Sequence, residues 1–352
     1  MKEFLKRQGV IPSWKTYFIT AMGAMAQGLF CTLLVGTILN TIGSQFNIPF
    51  LTMEIVSGYT VGGLASAMVG AGIAVAIGVS LKAPPLVMFS LIPIGFSANA
   101  LGGAGGALAV YLVAIIACEC GKLVSKTTKI DILVTPIVTI LIGIGLAYLI
   151  AEPIGEAANS VGTAVKWATN QQPFLMGIVV SVLVGIALTL PISSAAICAA
   201  LSLTGLAGGA AVAGCCAQMV GFAVMSFREN RWGGLVAQGL GTSMLQMPNI
   251  VKNPRIWIPP TLASAITGPI ASCVFCLEMN GTAVSSGMGT CGLVGPIGVY
   301  TGWLDTGAKI GAMDWIGLLL ICVVLPAILS VAFCELLRKI GWIKQGDLKL
   351  DL

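Results

Sequence analysis

Residues 277–303 read LEMNGTAVSSGMGTCGLVGPIGVYTGW. Seven of these residues are Gly and one is Pro, while Glu278, Asn280, Thr282, Ser285, Ser286 and Thr290 crowd the first half, between long apolar runs. Pro296 after Gly295 stops a helix, and Gly281 and Gly287 permit turns that a β-branched residue resists. Backbone released from helix inside a membrane must be buried in protein or line a wet cavity, because each unsatisfied N–H or C=O in lipid costs several kcal/mol. The stretch is therefore expected to be a re-entrant loop whose backbone dipoles and side chains serve a polar solute or ion. The competing expectation is an external loop whose polar residues satisfy one another.

The membrane premise comes from composition. Of 352 residues, 57% are hydrophobic and 9% charged, too few polar side chains to cover a water-facing surface. Apolar windows of about 20 residues recur along the chain, the length a helix needs to cross, and Gly is too abundant for an alternating barrel strand. The fold class is all-α, with about ten transmembrane helices and Gly/Pro-broken or re-entrant segments. The spans are expected near 15–42, 57–81, 84–100, 104–125, 131–151, 173–198, 206–227, 232–250, 258–278 and 314–337.

Residues 1–14, with Lys2, Lys6 and Arg7, read as a cytoplasmic interfacial segment without a cleavage site. Residues 15–338 form one transport-type domain, and 339–352 a cytoplasmic tail. The positive-inside rule puts both termini in the cytoplasm, so the chain is read as multi-pass in a bacterial inner membrane. Segment 152–172 is expected outside as an amphipathic helix joining halves 15–151 and 173–338, the second a possible inverted 5+5 copy of the first. Arg228-Glu229-Asn230-Arg231 falls outside in this scheme, against the rule. The alternative shortens the region around 192–206 to a hairpin and brings Arg228–Arg231 inside.

Gly density marks further breaks around 95–106 and 233–241, and Pro191-Ile192-Ser193-Ser194 marks another. Polar groups at them extend the candidate site: Gln246, Asn249 and Asn253 among Pro248, Pro254, Pro259 and Pro260, and Asn99 in the first half. Amides of this kind donate and accept together. Among the carboxylates Glu278 stands at the head of the broken stretch, where an ionisable group at membrane depth takes a proton, a cation or a sugar hydroxyl. Glu119 with Lys122 reads as an i,i+3 ion pair. Lys252 and Arg255 suit lipid headgroups or an anionic cytosolic group.

Several classes are set aside. Most of the 11 Cys lie in apolar runs, as at Cys215, Cys216, Cys273 and Cys322, where Cys acts as a small hydrophobe, and the chain has no His. No metal, no cofactor and no catalytic residues are expected. The net charge of +5 sits at span ends and gives no sign of nucleic-acid binding. No Walker loop is present to support ATP-driven transport.

At NPRIWIPPTLASAITGP (253–269) and SSGMGTCGLVGPIGVYTGW (285–303) the sequence resembles the membrane enzyme IIC-like family of the bacterial sugar phosphotransferase system, in particular the branch named for a perfringolysin regulator. The resemblance runs over nearly the whole chain. It implies a dimeric inner-membrane protein of roughly ten spans with a buried site for a small polar solute, served by a separate IIB-like protein that phosphorylates the bound sugar. The chain departs from the better-known carriers: their Gly-Ile-Thr-Glu-Pro signature survives only as the fragment Ala151-Glu152-Pro153-Ile154, and the His that often partners its Glu has no counterpart. No attached IIA or IIB domain is expected. The expected function is a transporter for a small polar solute, a sugar or related metabolite, bound between the halves by Glu278, Asn280, Thr282, Ser285 and Ser286 facing Gln246, Asn249 and Asn253. The alternative is a membrane sensor that binds the solute and signals to a cytosolic partner. By itself the chain is not expected to be an enzyme.

Overall fold

A computed structural model describes residues 7–10, 13–307 and 310–350, so the interfacial Lys2 and Lys6 lie outside the described residues. Among those residues the structure is helical, with isolated bridges in place of strands. It divides into two units, residues 1–158 and 159–352.

In the first unit, α1 (Lys15–Gln45) is followed by α2 (Val61–Ala67) and α3 (Val69–Ser80), which meet at a 55° bend. α4 (Pro85–Gly102) and α5 (Gly106–Val124) come next. The expected break at 95–106 falls at its end: α4 is helical through Gly102, and Gly103 at φ 49° reverses the chain so that α5 packs back along α4. α1, α3 and α4 pack through small residues. A Cβ on Gly28 would meet the backbone of Gly72, and one on Gly70 the backbone of Gly95. Such close approach is how helices associate where lipid removes the hydrophobic drive. The expected Glu119–Lys122 pair forms at 3.2 Å, and Lys122 is buried.

α6 (Asp131–Thr169) carries the chain across the division between the units. This corrects the expected free surface helix at 152–172. Residues 152–169 continue the preceding span as one helix of roughly 58 Å at 1.5 Å per residue. Val165 and Ala168 are buried in the second unit's core with Met176 and Ala210, which is why the segment does not stand apart.

The second unit is built on α7 (Pro173–Thr189), α9 (Gly205–Met225) and α12 (Ile258–Pro269). Ser181 packs on Gly214, Gly185 on Gly214 and Gln218, and the Thr189 hydroxyl lies 3.3 Å from the Gln218 amide oxygen. α7 and α9 therefore run in the same direction. The chain returns between them through a break at Leu190–Ser193 and the two-turn α8 (Ser194–Ala200), whose start is capped by the Ser193 hydroxyl accepting from the Ala196 N–H at 3.1 Å. The expected span 173–198 is thus a hairpin with one limb of about 25 Å and a short return.

That return corrects the topology of Arg228–Arg231. After α9 the chain forms α10 (Phe227–Val236), kinked at Arg231 with φ 51° and extended by a π-helical turn to Gly241. Arg228 reaches Glu335 at 2.9 Å, Arg338 reaches Glu229 at 3.1 Å, and the Asn230 amide donates to the Leu348 carbonyl at 2.8 Å. The loop and the C-terminal segment share one face, together with Lys252, Arg255, Lys339 and Lys344. Collecting these cations on one side is what the positive-inside rule requires.

The expected span 232–250 is likewise a hairpin. The π turn ends at Gly241, Thr242 is extended, and α11 (Met247–Lys252) turns back to the basic face. α12 then crosses to the opposite face, continuing as a π turn to Val274. α13 (Ala283–Ser286) and α14 (Val294–Asp305) lie in the opening stretch, and α15 (Ala312–Lys339) crosses back. Counted by length and composition alone, five described helices can span, or six with the bent α2–α3 pair. One of those five runs is the α4–α5 hairpin.

Candidate functional site

The opening stretch forms a hairpin, and its path can be followed against α9. Residues 275–282 are non-helical, and Met279 pairs with Gly205 through two backbone hydrogen bonds of 2.9 and 3.0 Å. Ten residues further along α9, Gly289 packs on Cys215 and Cys216, about 15 Å along the helix axis. α14 then climbs beside the descending limb: Gly295 lies on Gly289, Gly298 on Ser285, and Gly302 on Asn280 and Gly281. A Cβ at Gly298 or Gly302 would press within 3 Å of these atoms, so glycine is what lets the limbs close. Leu277, Met279, Val299 and Trp303 are buried with Val212, Cys216 and Ile321. The irregular backbone is thus enclosed by protein.

Its polar residues divide by depth. Glu278 and Thr282 are exposed at the mouth and Asn280 is half-buried, with the Asn280 amide donating to the Glu278 carboxylate at 2.9 Å. Deeper, Ser285, Ser286 and Thr290 are buried. Ser285 pairs with Thr282 at 2.9 Å, and Ser286 donates to the Leu203 carbonyl at 2.6 Å. Thr290 donates to the Gly239 carbonyl, and Ser194 to the Gly287 carbonyl at 2.7 Å. These hydroxyls satisfy backbone carbonyls that the breaks leave without helical donors.

The second expected cluster has another role. The Gln246 amide donates to the Gln238 oxygen at 2.8 Å and to the Leu348 carbonyl at 3.0 Å. Asn249 donates to the Lys349 carbonyl and to Gln246, both at 2.8 Å, and Asn253 donates to the Trp342 carbonyl at 3.0 Å and to Asp347 at 2.8 Å. Their amide donors clasp residues 342–349 against the basic face. They are not brought together with Glu278, which lies at the opposite end of α9. Asn99 belongs to the first unit, where it packs against Gly70 and Gly106.

Sequence reasoning missed the place where the breaks converge. Gln218, about two-thirds of the way along the largely buried α9, has no access to solvent. Its amide oxygen accepts from the Trp257 indole at 3.0 Å and from Thr189 at 3.3 Å, and its amide nitrogen donates to Thr261 at 3.3 Å. Thr189 in turn lies 2.8 Å from the hydroxyl of Ser243. Thr189 ends α7, Ser243 follows the reversal at Gly241, and Gly289 of the third hairpin lies on Cys215 and Cys216, two to three residues before Gln218. The three reversals thus lie within one turn of one another along α9, those at Thr189 and Ser243 beside Gln218 itself. Gln218 is fully enclosed, while Trp257 and Thr261, at the start of α12, are half-buried. The available signal was one Gln inside a run of Ala, Gly and Cys.

Compared with known proteins, residues 19–350 match a family model described as "Phosphotransferase system, EIIC". No curated protein and no solved structure matches.

Proposed function

Since the chain belongs to the phosphotransferase-system EIIC family, and is by that membership a membrane-embedded transport component, we propose that it carries a small uncharged polar solute, a sugar or polyol, held where the three reversals meet at Gln218. The carrying observation is that convergence: amide, hydroxyl and indole groups, none ionised, match the alternating donors and acceptors of a polyhydroxylated solute. Trp257 adds an apolar face beside the Gln218 oxygen, the combination a sugar ring needs. Glu278, Asn280 and Thr282 line the outer mouth of the path.

The basic face is the cytoplasmic side of a bacterial inner membrane on this reading. There a cleft of about 560 Å³ is lined by Arg228, Glu335, Arg338, Lys339 and Lys344. It supports a separate IIB-like partner or anionic lipid headgroups. The narrower likeness to the branch named for a perfringolysin regulator, and with it a homodimer, rests on the motifs at 253–269 and 285–303. A sensor that reads the same solute and signals through the basic face is the second reading, favoured by that cleft.

The test is thermal stabilisation of the purified protein by sugars, polyols and charged metabolites, since a ligand of the native state raises apparent stability. A neutral polyhydroxylated solute is expected to stabilise. Gln218→Ala is expected to weaken its binding roughly 10- to 100-fold, the worth of one or two buried hydrogen bonds. Glu278→Gln is expected to slow uptake while leaving equilibrium binding within about threefold, because the mouth is exposed and solvent-screened. Stabilisation by charged metabolites alone would overturn the neutral site.

A further inference from the structure

Cys273 and Cys276 form a Cys-x-x-Cys pair, and both are exposed. Cys215, Cys216 and Cys322 are by contrast buried.

The position of the pair is specific. Cys273 lies in the final π turn of α12, and Cys276 is the first residue after Phe275, where the chain leaves the helix. Phe275 has φ −93° and ψ −9°, so the chain turns between the two cysteines, and the end Cα atoms of a four-residue turn lie within about 7 Å. A disulfide spans roughly 4.4–6.8 Å between Cα atoms. Cys276 itself has φ 44°, a left-handed conformation uncommon for a side chain of this kind. It leads directly to Leu277 and Met279, the residues that dock the hairpin on α9.

The compartment also favours oxidation. α12 runs away from the basic face, so the pair sits at the opposite end of the unit, near Glu278 and close to the polar turn that starts α7, where Ser272 donates to the Pro173 carbonyl at 2.9 Å. By the distribution of cations that end is extracytoplasmic, where disulfides form and persist.

We propose that Cys273 and Cys276 are a reversible disulfide site that clamps the hinge of the 277–303 hairpin. The oxidant is a disulfide-donating protein or low-molecular-weight disulfide. One cysteine thiolate attacks a sulfur of the donor to give a mixed disulfide and release one thiol. The second thiolate then displaces the donor's other sulfur as a thiol, forming the Sγ–Sγ bond. The two protons and the electron pair leave with the donor, now a dithiol or two thiols.

The test uses the full-length protein, with thiols alkylated at cell lysis and again after incubation with oxidised glutathione. Peptide mass spectrometry is expected to find residues 273 and 276 joined to each other and blocked from alkylation, and both alkylated after reduction. Amide hydrogen exchange over residues 277–290 is expected to be slower in the oxidised form, with the difference abolished in Cys273→Ser and in Cys276→Ser. Both cysteines alkylated as free thiols under each oxidising condition would overturn the proposal. A disulfide that forms without altering exchange over 277–290 would overturn the clamp. No solute enters either readout, so a failure of the Gln218 solute site leaves this result unaffected.

Discussion

Gly209→Ala is expected to undock the hairpin and to cost about 3 kcal/mol or more, the upper end of overpacking penalties. A Cβ at Gly209 points at the backbone carbonyl of Leu277, which cannot swing aside as a flexible side chain would. Leu277 is held on one side by its N–H donating to the Ala271 carbonyl at 2.8 Å, and two residues later by the Met279–Gly205 pair. The added methyl must therefore push the strand-like segment off α9 and expose Leu277 and Met279, each worth about 1.5–3 kcal/mol when buried. The expected result is a lowered melting temperature in detergent and loss of solute stabilisation. Gly145, whose Cβ would meet nothing within 4 Å, is the control position for alanine, and a Gly209→Ala protein as stable as Gly145→Ala would contradict the docking described for 277–279.

Glu229→Ala is expected to release the C-terminal segment. Glu229 is 5% exposed and holds two donors: the Arg338 guanidinium at 3.1 Å and the Leu348 N–H at 2.9 Å. Removing it leaves Arg338, 15% exposed, with only Glu335 at 3.8 Å, while its Nε already lacks a partner. Breaking a buried pair from one side costs about 3–5 kcal/mol, and the remaining carboxylate places this case near about 3 kcal/mol. If opening is fast relative to cleavage, trypsin cuts at Lys344 and Lys349 about a hundredfold faster. Glu229→Gln keeps an acceptor for Leu348 and is expected to fall between. Unchanged cleavage in Glu229→Ala would show that Asn230, Gln246 and Asn249 suffice to hold the segment.

How much of this was legible in the sequence differs from element to element. The stretch 277–303 announced itself, because Gly and Pro at that density cannot continue a membrane helix, and its reversal was expected before its partners were known. The hairpins were not legible in full. Residues 173–198 are apolar throughout, and hydropathy measures whether a segment tolerates lipid, not whether it turns back at Pro191. With residues 173–198 read as crossing, every later loop changes sides, and Arg228–Arg231 then conflicts with its own charge. For Gln246, Asn249 and Asn253, an amide in a sequence does not reveal whether its partner is a ligand or a carbonyl about 100 residues away. Gln218 escaped because a single amide barely lowers the hydropathy of GLAGGAAVAGCCAQMVGFAVM, and because its importance lies in what three distant breaks bring to it.

The central claim is that the solute sits where those breaks meet, and a density map of the protein with its stabilising solute tests it most directly. The prediction is density for the solute within hydrogen-bond reach of Gln218, with Trp257 along one face and the Thr189–Ser243 reversals beside it. Solute density confined to the outer mouth at Glu278, with the Gln218 cluster closed on itself as in the free protein, would contradict the account.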